Sequence, residues 1–262
     1  MQVEGLTRVA TYRREVSASE DRVWENVRDW EHLPWLHNQS FRALEHLESG
    51  DWGWRVELSL ASSDSRTISL ELIIDASQSR YVSRTIAGVG EGSEIWTTVE
   101  PIDACRTDIE VEFHLPGVRP DQAAALGAAY TALYTRLWDE DEQMMVLRES
   151  RLASRAIPID GTLELGTESE LREAVPLEVE FGGRPYRVVE LDGQLVAYCS
   201  ICPHMLGPLG APDRTGRIHC PWHGYQFDLR SGRSCDGHKA RLLPAPRLSV
   251  DPQTSVVSLR SG

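Results

Sequence analysis

The chain has 262 residues, a net charge of -13 and a pI near 5.1. That length is comfortable for two domains that each close an apolar core. The acidity sets up a field that repels nucleic acid and anionic membrane, so neither is expected as a partner, and no apolar run approaches the roughly eighteen residues a membrane span needs. The opening stretch MQVEGLTRVATYRREV lacks the apolar centre of a signal peptide, so a cytoplasmic location is expected. Five cysteines, an odd number without an export signal, argue against a disulfide framework and make metal ligation the first question. Cys105, Cys199 and Cys235 have no metal-type spacing among themselves and read as chemically bland.

In chain order, TRVATYRREVSAS reads as a strand, followed by Ser19 as the N-cap of EDRVWENVRDW, whose Val23, Trp24 and Val27 share one helical face. A short helix broken near Pro34 comes next. Period-two stretches bounded by turn residues then follow one another: FRALEHL, WRVELSLA, TISLELIID, RYVSRTIAG, EIWTTVEP and TDIEVEFHL. They predict an antiparallel meander. After Pro116 and Gly117, a long helix rich in good helix formers is expected from near Pro120. This order of elements resembles the START-like helix-grip fold, in which a curved sheet wraps a final helix around an apolar cavity. The resemblance covers residues 1 to about 150 and rests on topology. It implies an α+β helix-grip domain over residues 1–154.

RAIPIDGTLELG, with its Pro and Gly and no helical period, reads as a linker. Beyond it, LEVEFGGRPYRVVELDGQLVAYCS, RIHCPWHGYQFDLRSGR and RLSVDPQTSVVSLR give short strands with glycine-rich turns, so residues 160–262 are expected to form an all-β domain. Two knuckles stand out within it. Cys202-Pro-His204 and Cys220-Pro-Trp-His223 lie fifteen residues apart, each in a loop between strands. Two thiolates and two imidazoles suit a tetrahedral zinc and equally a 2Fe-2S cluster with one iron on the cysteines and the other on the histidines. The flanks CPHMLGPL and CPWHGYQFDLRSG closely resemble the two cluster loops of Rieske proteins, including Gly224, Tyr225 and Phe227. The additional loop cysteines of the respiratory-complex proteins are missing. The resemblance is therefore to Rieske ferredoxins and Rieske oxygenases, and it implies a cluster on Cys202, His204, Cys220 and His223. His219 should point away from it by strand alternation. His238, in SCDGHKARLL, reads as a surface turn residue.

The first domain must say what the electrons are for. Asp29-Trp-Glu-His32-Leu-Pro-Trp-Leu-His37 has the spacing D-x2-H-x4-H. In a helix-grip protein without metal, such residues simply fill the cavity mouth. On the closing helix, Leu126, Tyr130, Leu133, Leu137, Asp141 and Met144 recur every three or four residues and share the inner face. Asp139 and Glu142 point away, and Glu140 lies off the flank. A buried Asp141 needs a cation or a metal opposite it, and two His with one Asp make a facial triad for Fe(II). D-x2-H-x4-H and LWDEDEQMM resemble the iron-binding segments of Rieske non-haem iron oxygenases, with Asp141 at the third ligand position. The resemblance implies a mononuclear Fe(II) on His32, His37 and Asp141. It also implies that Asp29 hydrogen-bonds a ligand imidazole and a cluster histidine.

The domain order is the reverse of that family's usual order, and the first domain is short. The implied activity is an oxidoreductase, a mono- or dioxygenase that hydroxylates an apolar or aromatic small-molecule substrate with dioxygen. Its electron donor would be an NAD(P)H-dependent reductase or ferredoxin. Family analogy also implies a homo-oligomer, most simply a head-to-tail trimer. The alternative is a ligand-binding helix-grip protein whose Rieske domain transfers electrons or senses redox state, without mononuclear iron. A non-redox cyclase or hydrolase finds less support, because His46 and His114 fall in strand patterns and read as structural. Trp24, Trp30, Trp35 and Trp138 are expected in the core or cavity wall.

Overall fold

A computed structural model describes residues 5–62, 66–154 and 161–260. The chain divides into two compact units, Met1–Glu149 and Ser150–Gly262. No described helix is long and apolar enough to cross a membrane.

The first unit is a seven-stranded antiparallel sheet closed by a long helix. It comprises β1 (Leu6–Val16), α1 (Glu20–Arg28), α2 (Leu33–Leu36), β2 (Phe41–Gly50), β3 (Gly53–Leu60), β4 (Thr67–Asp75), β5 (Arg80–Gly88), β6 (Glu94–Asp103), β7 (Arg106–Pro116) and α3 (Ala123–Ala153). The sheet order β1-β7-β6-β5-β4-β3-β2 is a meander that takes its first strand back onto its last. Alternation sets the core. Ile95, Thr97 and Val99 pair with Phe113, Val111 and Ile109, and all six are buried on one face of β6 and β7. On β1 a bulge at Val9 interrupts the pairing with β7. There Gly127 of α3 packs so closely that a Cβ would stand 2.5 Å from the Val9 carbonyl, so only glycine lets helix and strand approach this far.

Ion pairs fasten the rest of α3. Arg14 donates to Asp139 at 2.6 Å and to Glu142 at 3.0 Å, and Arg148 donates to Glu25 at 2.6 Å. Ser19 is the N-cap of α1 but makes no side-chain cap. Its hydroxyl donates instead to Glu149 at 2.5 Å, joining α1 to α3. Pro34 does not break α2. It stands in the first turn, where a missing N–H costs nothing.

The second unit holds β8 (Thr162–Thr167), α4 (Glu168–Ala174), β9 (Leu177–Phe181), β10 (Arg184–Leu191), β11 (Gln194–Cys199), β12 (Arg217–His219), β13 (Gln226–Asp228), β14 (Arg247–Val250) and β15 (Val256–Arg260). They form sheets ordered β11-β10-β9, β12-β13 and β14-β15-β8. The β architecture is as the alternation predicts, with one short helix added. Thr167 and Glu170 close a capping box at the start of α4. Residues 155–160 of the expected linker lie outside the described residues, and Thr162–Thr167 is not linker but a strand paired with β15. Cys199 is fully buried in the core, whereas Cys105 and Cys235 are exposed.

Candidate metal centres

In the second unit, the turn after β11 carries Cys202 and His204, and the turn between β12 and β13 carries Cys220 and His223. Backbone hydrogen bonds fold each loop onto itself. Cys202 N donates to Gly207 O at 2.8 Å and Cys220 N to Tyr225 O at 2.9 Å, so backbone bonds close each knuckle. Gly224 takes a left-handed φ of 68°, which the second turn requires. Gly207 is needed for a different reason: a Cβ there would lie 2.8 Å from the Trp222 ring and 2.9 Å from Cys220 Sγ. The two loops thus close on the thiol without a side chain between them.

The four candidate ligands assort two and two. Cys202 and Cys220 are buried and share a thiol hydrogen bond, which pushes Cys202 up and draws Cys220 down. His204 and His223 stand edge to face with ring centroids 4.6 Å apart. Sulfur beside sulfur and imidazole beside imidazole fits a binuclear cluster with one iron on each pair. His223 is buried and His204 is exposed. His219 points outward, with 48% of its side chain accessible. His238 is on the surface as expected, but its ring also stacks on Tyr225.

In the first unit, α2 holds a histidine at each end, His32 as N-cap and His37 as C-cap. Four residues of helix thus turn both rings the same way. Across from them, Tyr130, Leu133, Leu137 and Asp141 of α3 line a cavity of about 270 Å³. His32 Nε2 lies 3.5 Å and His37 Nε2 3.2 Å from Asp141 Oδ1. Ligand atoms about 2.0–2.2 Å from a metal stand about 3 Å apart around it, so this trio, with one donor atom each within 4.8 Å of the others, fits a single ion. Both histidines are buried, and Asp141 keeps 13% of its side chain accessible where it lines the cavity.

A second carboxylate stands behind each ring. Asp29 Oδ2 is 3.4 Å from His32 Nδ1, and Glu140 Oε2 is 2.6 Å from His37 Nδ1. Glu140 therefore does not lie off the flank as helical spacing alone suggests; its longer side chain reaches around α3 to the ring. Asn26 is the other participant the sequence did not announce, donating to Asp141 Oδ1 at 3.0 Å. Asp139 and Glu142 do point away, toward Arg14. Burial works against a charged His37, but Asp141 and Glu140 outweigh it and raise the ring to about 9. For Asp141, burial works against the carboxylate, and His37, His32 and Asn26 prevail and lower it.

Apart from that polar end, the cavity wall is mostly apolar, with Ile68, Leu70, Leu72, Ile95 and Trp54 among its residues. Burial raises the phenols of Tyr81 and Tyr134, which therefore stay neutral. Trp138 is buried in this wall, and Trp24 and Trp30 pack against the core. Trp35 departs from expectation, because it sits on the outer side of α2 with 45% of its surface exposed. His114 is buried beside Glu112, whereas His46 lies on the exposed edge strand β2, stacked on Trp30.

A helix-grip unit with a cavity and a β unit with two Cys/His loops define a two-domain protein of recognisable class. Residues 7–140 match the family model for polyketide cyclase / dehydrase and lipid transport, and residues 161–246 match the Rieske [2Fe-2S] domain. The first match spans just over half of the sequence, and the chain belongs to the polyketide cyclase / dehydrase and lipid transport family. Its second domain is a Rieske domain.

Among solved structures, the chain is similar to the Zhui aromatase/cyclase from Streptomyces sp. R1128 at 16% identity and a TM-score of 0.47, over 56% of this chain and 98% of that one. It is also similar to a START superfamily protein from Mycobacterium smegmatis, at 16% identity and a TM-score of 0.43, over 52% and 96%. Norcoclaurine synthase from Thalictrum flavum, in complex with dopamine and hydroxybenzaldehyde, is 19% identical with a TM-score of 0.41, over 54% and 88%. A search of curated proteins found no match.

Proposed function

We propose that the chain is a Rieske-type oxygenase, in which Cys202, His204, Cys220 and His223 hold a 2Fe-2S cluster and His32, His37 and Asp141 hold a mononuclear Fe(II). One observation carries this reading: two imidazole Nε2 atoms and one carboxylate converge on the wall of an apolar cavity, with a further carboxylate behind each ring. With iron bound, such a facial triad supplies dioxygen activation, using electrons passed through the cluster, for hydroxylation of an organic substrate.

The chain's own residues set the stage for that chemistry. Glu140 accepts the Nδ1 proton of His37, which leaves the Nε2 lone pair directed at the centre. Asp29 places a second carboxylate 3.4 Å behind the Nδ1 of His32. Asn26 holds the Asp141 carboxylate in the rotamer that faces both rings. The aliphatic wall excludes water and offers an apolar substrate its driving force. At about 270 Å³ the cavity is less than twice the ~150 Å³ of an engineered cavity that binds benzene, so the substrate is a small one. An NAD(P)H-dependent reductase or ferredoxin would supply electrons. Asp29 would also contact a cluster histidine, in a head-to-tail homo-oligomer that sedimentation would detect.

A second reading has an observation in its favour. With His37 raised to about 9, the histidine and Asp141 can satisfy each other as an ion pair, and the helix-grip domain would then bind an apolar ligand without a mononuclear metal while the Rieske domain carries electrons. The rate of cluster reoxidation separates the two. Pre-reduced protein mixed with dioxygen and a small aromatic substrate should reoxidise its cluster fast in wild type and slowly in Asp141→Ala and Asp29→Asn. Equal rates in all three would favour the ligand-binding reading.

A further inference from the structure

The acidity of the chain is unevenly spread. Residues 161–262 hold twelve acidic and eleven basic side chains, so almost the whole charge of -13 lies in the first 160 residues. Within this near-neutral part, one projection is basic. Residues 232–242 form a short ribbon in which Ser234 N donates to Ala240 O at 3.1 Å and Leu242 N to Gly232 O at 2.8 Å. Cys235 N and Gln226 O bond at 2.9 Å, and Gln226 N and Asp236 Oδ2 at 2.7 Å, so the ribbon is anchored on β13.

Its ends and tip carry Arg233, Lys239 and Arg241, all exposed. Arg233 and Arg241 are bridge partners directly across the ribbon, a like-charge pairing that destabilises a hairpin. Among the described residues, the ion pairs of this unit engage Arg172, Arg187, His219, Arg230 and His238, the last with Asp236 on the ribbon itself, and none of these three. Arg241 also donates to Ser231 O at 3.3 Å, but none of the three cations is paired with a carboxylate, and two of them stand face to face.

The tip also reaches the cluster loops through stacked rings. His204 and Tyr225 lie 4.3 Å apart at 15°, and Tyr225 and His238 lie 3.9 Å apart at 19°. Tyr225 is buried between two exposed histidines, one a candidate cluster ligand and the other on the basic ribbon. We propose that the ribbon 232–242 is the docking face for an acidic one-electron carrier, with His238 as the outermost ring beside the cluster. The carrier gives up one electron, and one cluster iron passes from Fe(III) to Fe(II). Docking survives the net acidity of the chain because charges beyond about 8 Å are largely screened at physiological salt, so an approaching carrier meets the ribbon's charges. The inference rests on the electron-transfer part of the proposed function and not on the mononuclear iron.

The test uses the full-length, cluster-loaded protein with a reduced plant-type 2Fe-2S ferredoxin of net negative charge as probe. Stopped-flow reduction of the cluster at low ionic strength should slow roughly tenfold in Arg233→Ser/Lys239→Ser/Arg241→Ser, with the gap closing near about 1 M salt. Reduction by a cationic viologen radical checks that each variant holds an intact cluster. His238→Ala should slow cluster reduction by the ferredoxin, and His238→Phe, which restores a ring, should recover the rate. Lys239 is the only lysine in the sequence, so a zero-length carbodiimide should join the ferredoxin to the peptide that contains it.

A wild type without a Rieske signal would defeat the electron-transfer reading itself. A normal Rieske signal with equal ferredoxin rates in wild type and triple variant would overturn the docking face alone. So would a Lys239 cross-link to a second copy of the chain formed without ferredoxin. An unchanged rate in His238→Ala would remove that ring from the face.

Discussion

Cys202 and His204 are two residues apart, Cys220 and His223 three, and two short loops bring the pairs together. His32 and His37 meet Asp141 only because a 31-residue helix lies across the sheet about a hundred residues later. The first arrangement is held by backbone: N–H groups closing each loop and glycines that let the loops touch. The second is held by side chains, with Asp29, Glu140 and Asn26 each positioning a candidate ligand. A site made from adjacent residues displays its chemistry in the sequence, whereas a site made from distant elements inherits its geometry from the whole domain. The two should therefore fail differently.

The largest effect is expected at the local site. Cys202→Ser or Cys220→Ser should abolish the brown colour and the Rieske EPR signal while the helix-grip domain unfolds at its wild-type temperature, because the two units have separate cores. A fall in that unfolding temperature would break the comparison.

Next is the pH dependence of the metal-free first domain. His37 is raised from an ordinary value near 6.5 to about 9, so its contribution to stability is fully present below pH 6.5 and is lost as pH rises through 9. The loss is on the order of 3 kcal/mol, read as a falling unfolding temperature over that window, and Asp141→Asn should largely flatten the profile. Iron needs the neutral ring, so uptake of the mononuclear metal at pH 7 should release about one proton, measurable with a weakly buffered indicator. Smaller again is Glu140→Gln, which keeps the shape but loses the charge behind His37. It should weaken mononuclear iron binding by about 10- to 100-fold and leave the cluster spectrum alone. The smallest is Ser19→Ala, which removes the hydroxyl bond to Glu149 that ties α1 to α3. It should cost about 1.5 kcal/mol of first-domain stability, seen in urea unfolding, with no change in cluster content.

Much of this architecture is legible in the sequence, for identifiable reasons. Period-two runs such as EIWTTVEP and TDIEVEFHL each bury one face, and the sheet order follows from consecutive antiparallel pairing. The inner stripe of α3 places Asp141 at the cavity because a 3.6-residue period fixes direction for a short side chain. Where the reading fell short, a long-range partner decided the matter. Glu140 is off the stripe by angle, and only the three-dimensional position of His37 draws it in. Ser19 forgoes its own helix for Glu149. Trp35 faces outward because α2 turns its histidines inward. GTLELG resembles a linker until β15, almost a hundred residues later, supplies the strand it pairs with. The basic ribbon escapes a motif search because Arg233, Lys239 and Arg241 come together only when the segment folds back on itself.

The iron content of the purified chain, reconstituted anaerobically, tests the central claim most directly. Two irons in a Rieske cluster and a third at His32, His37 and Asp141 predict three per chain in wild type and two in Asp141→Ala, with the same Rieske spectrum in both. Two irons per chain in the wild type, unchanged by Asp141→Ala, would contradict the oxygenase assignment and leave an electron-carrying, ligand-binding protein.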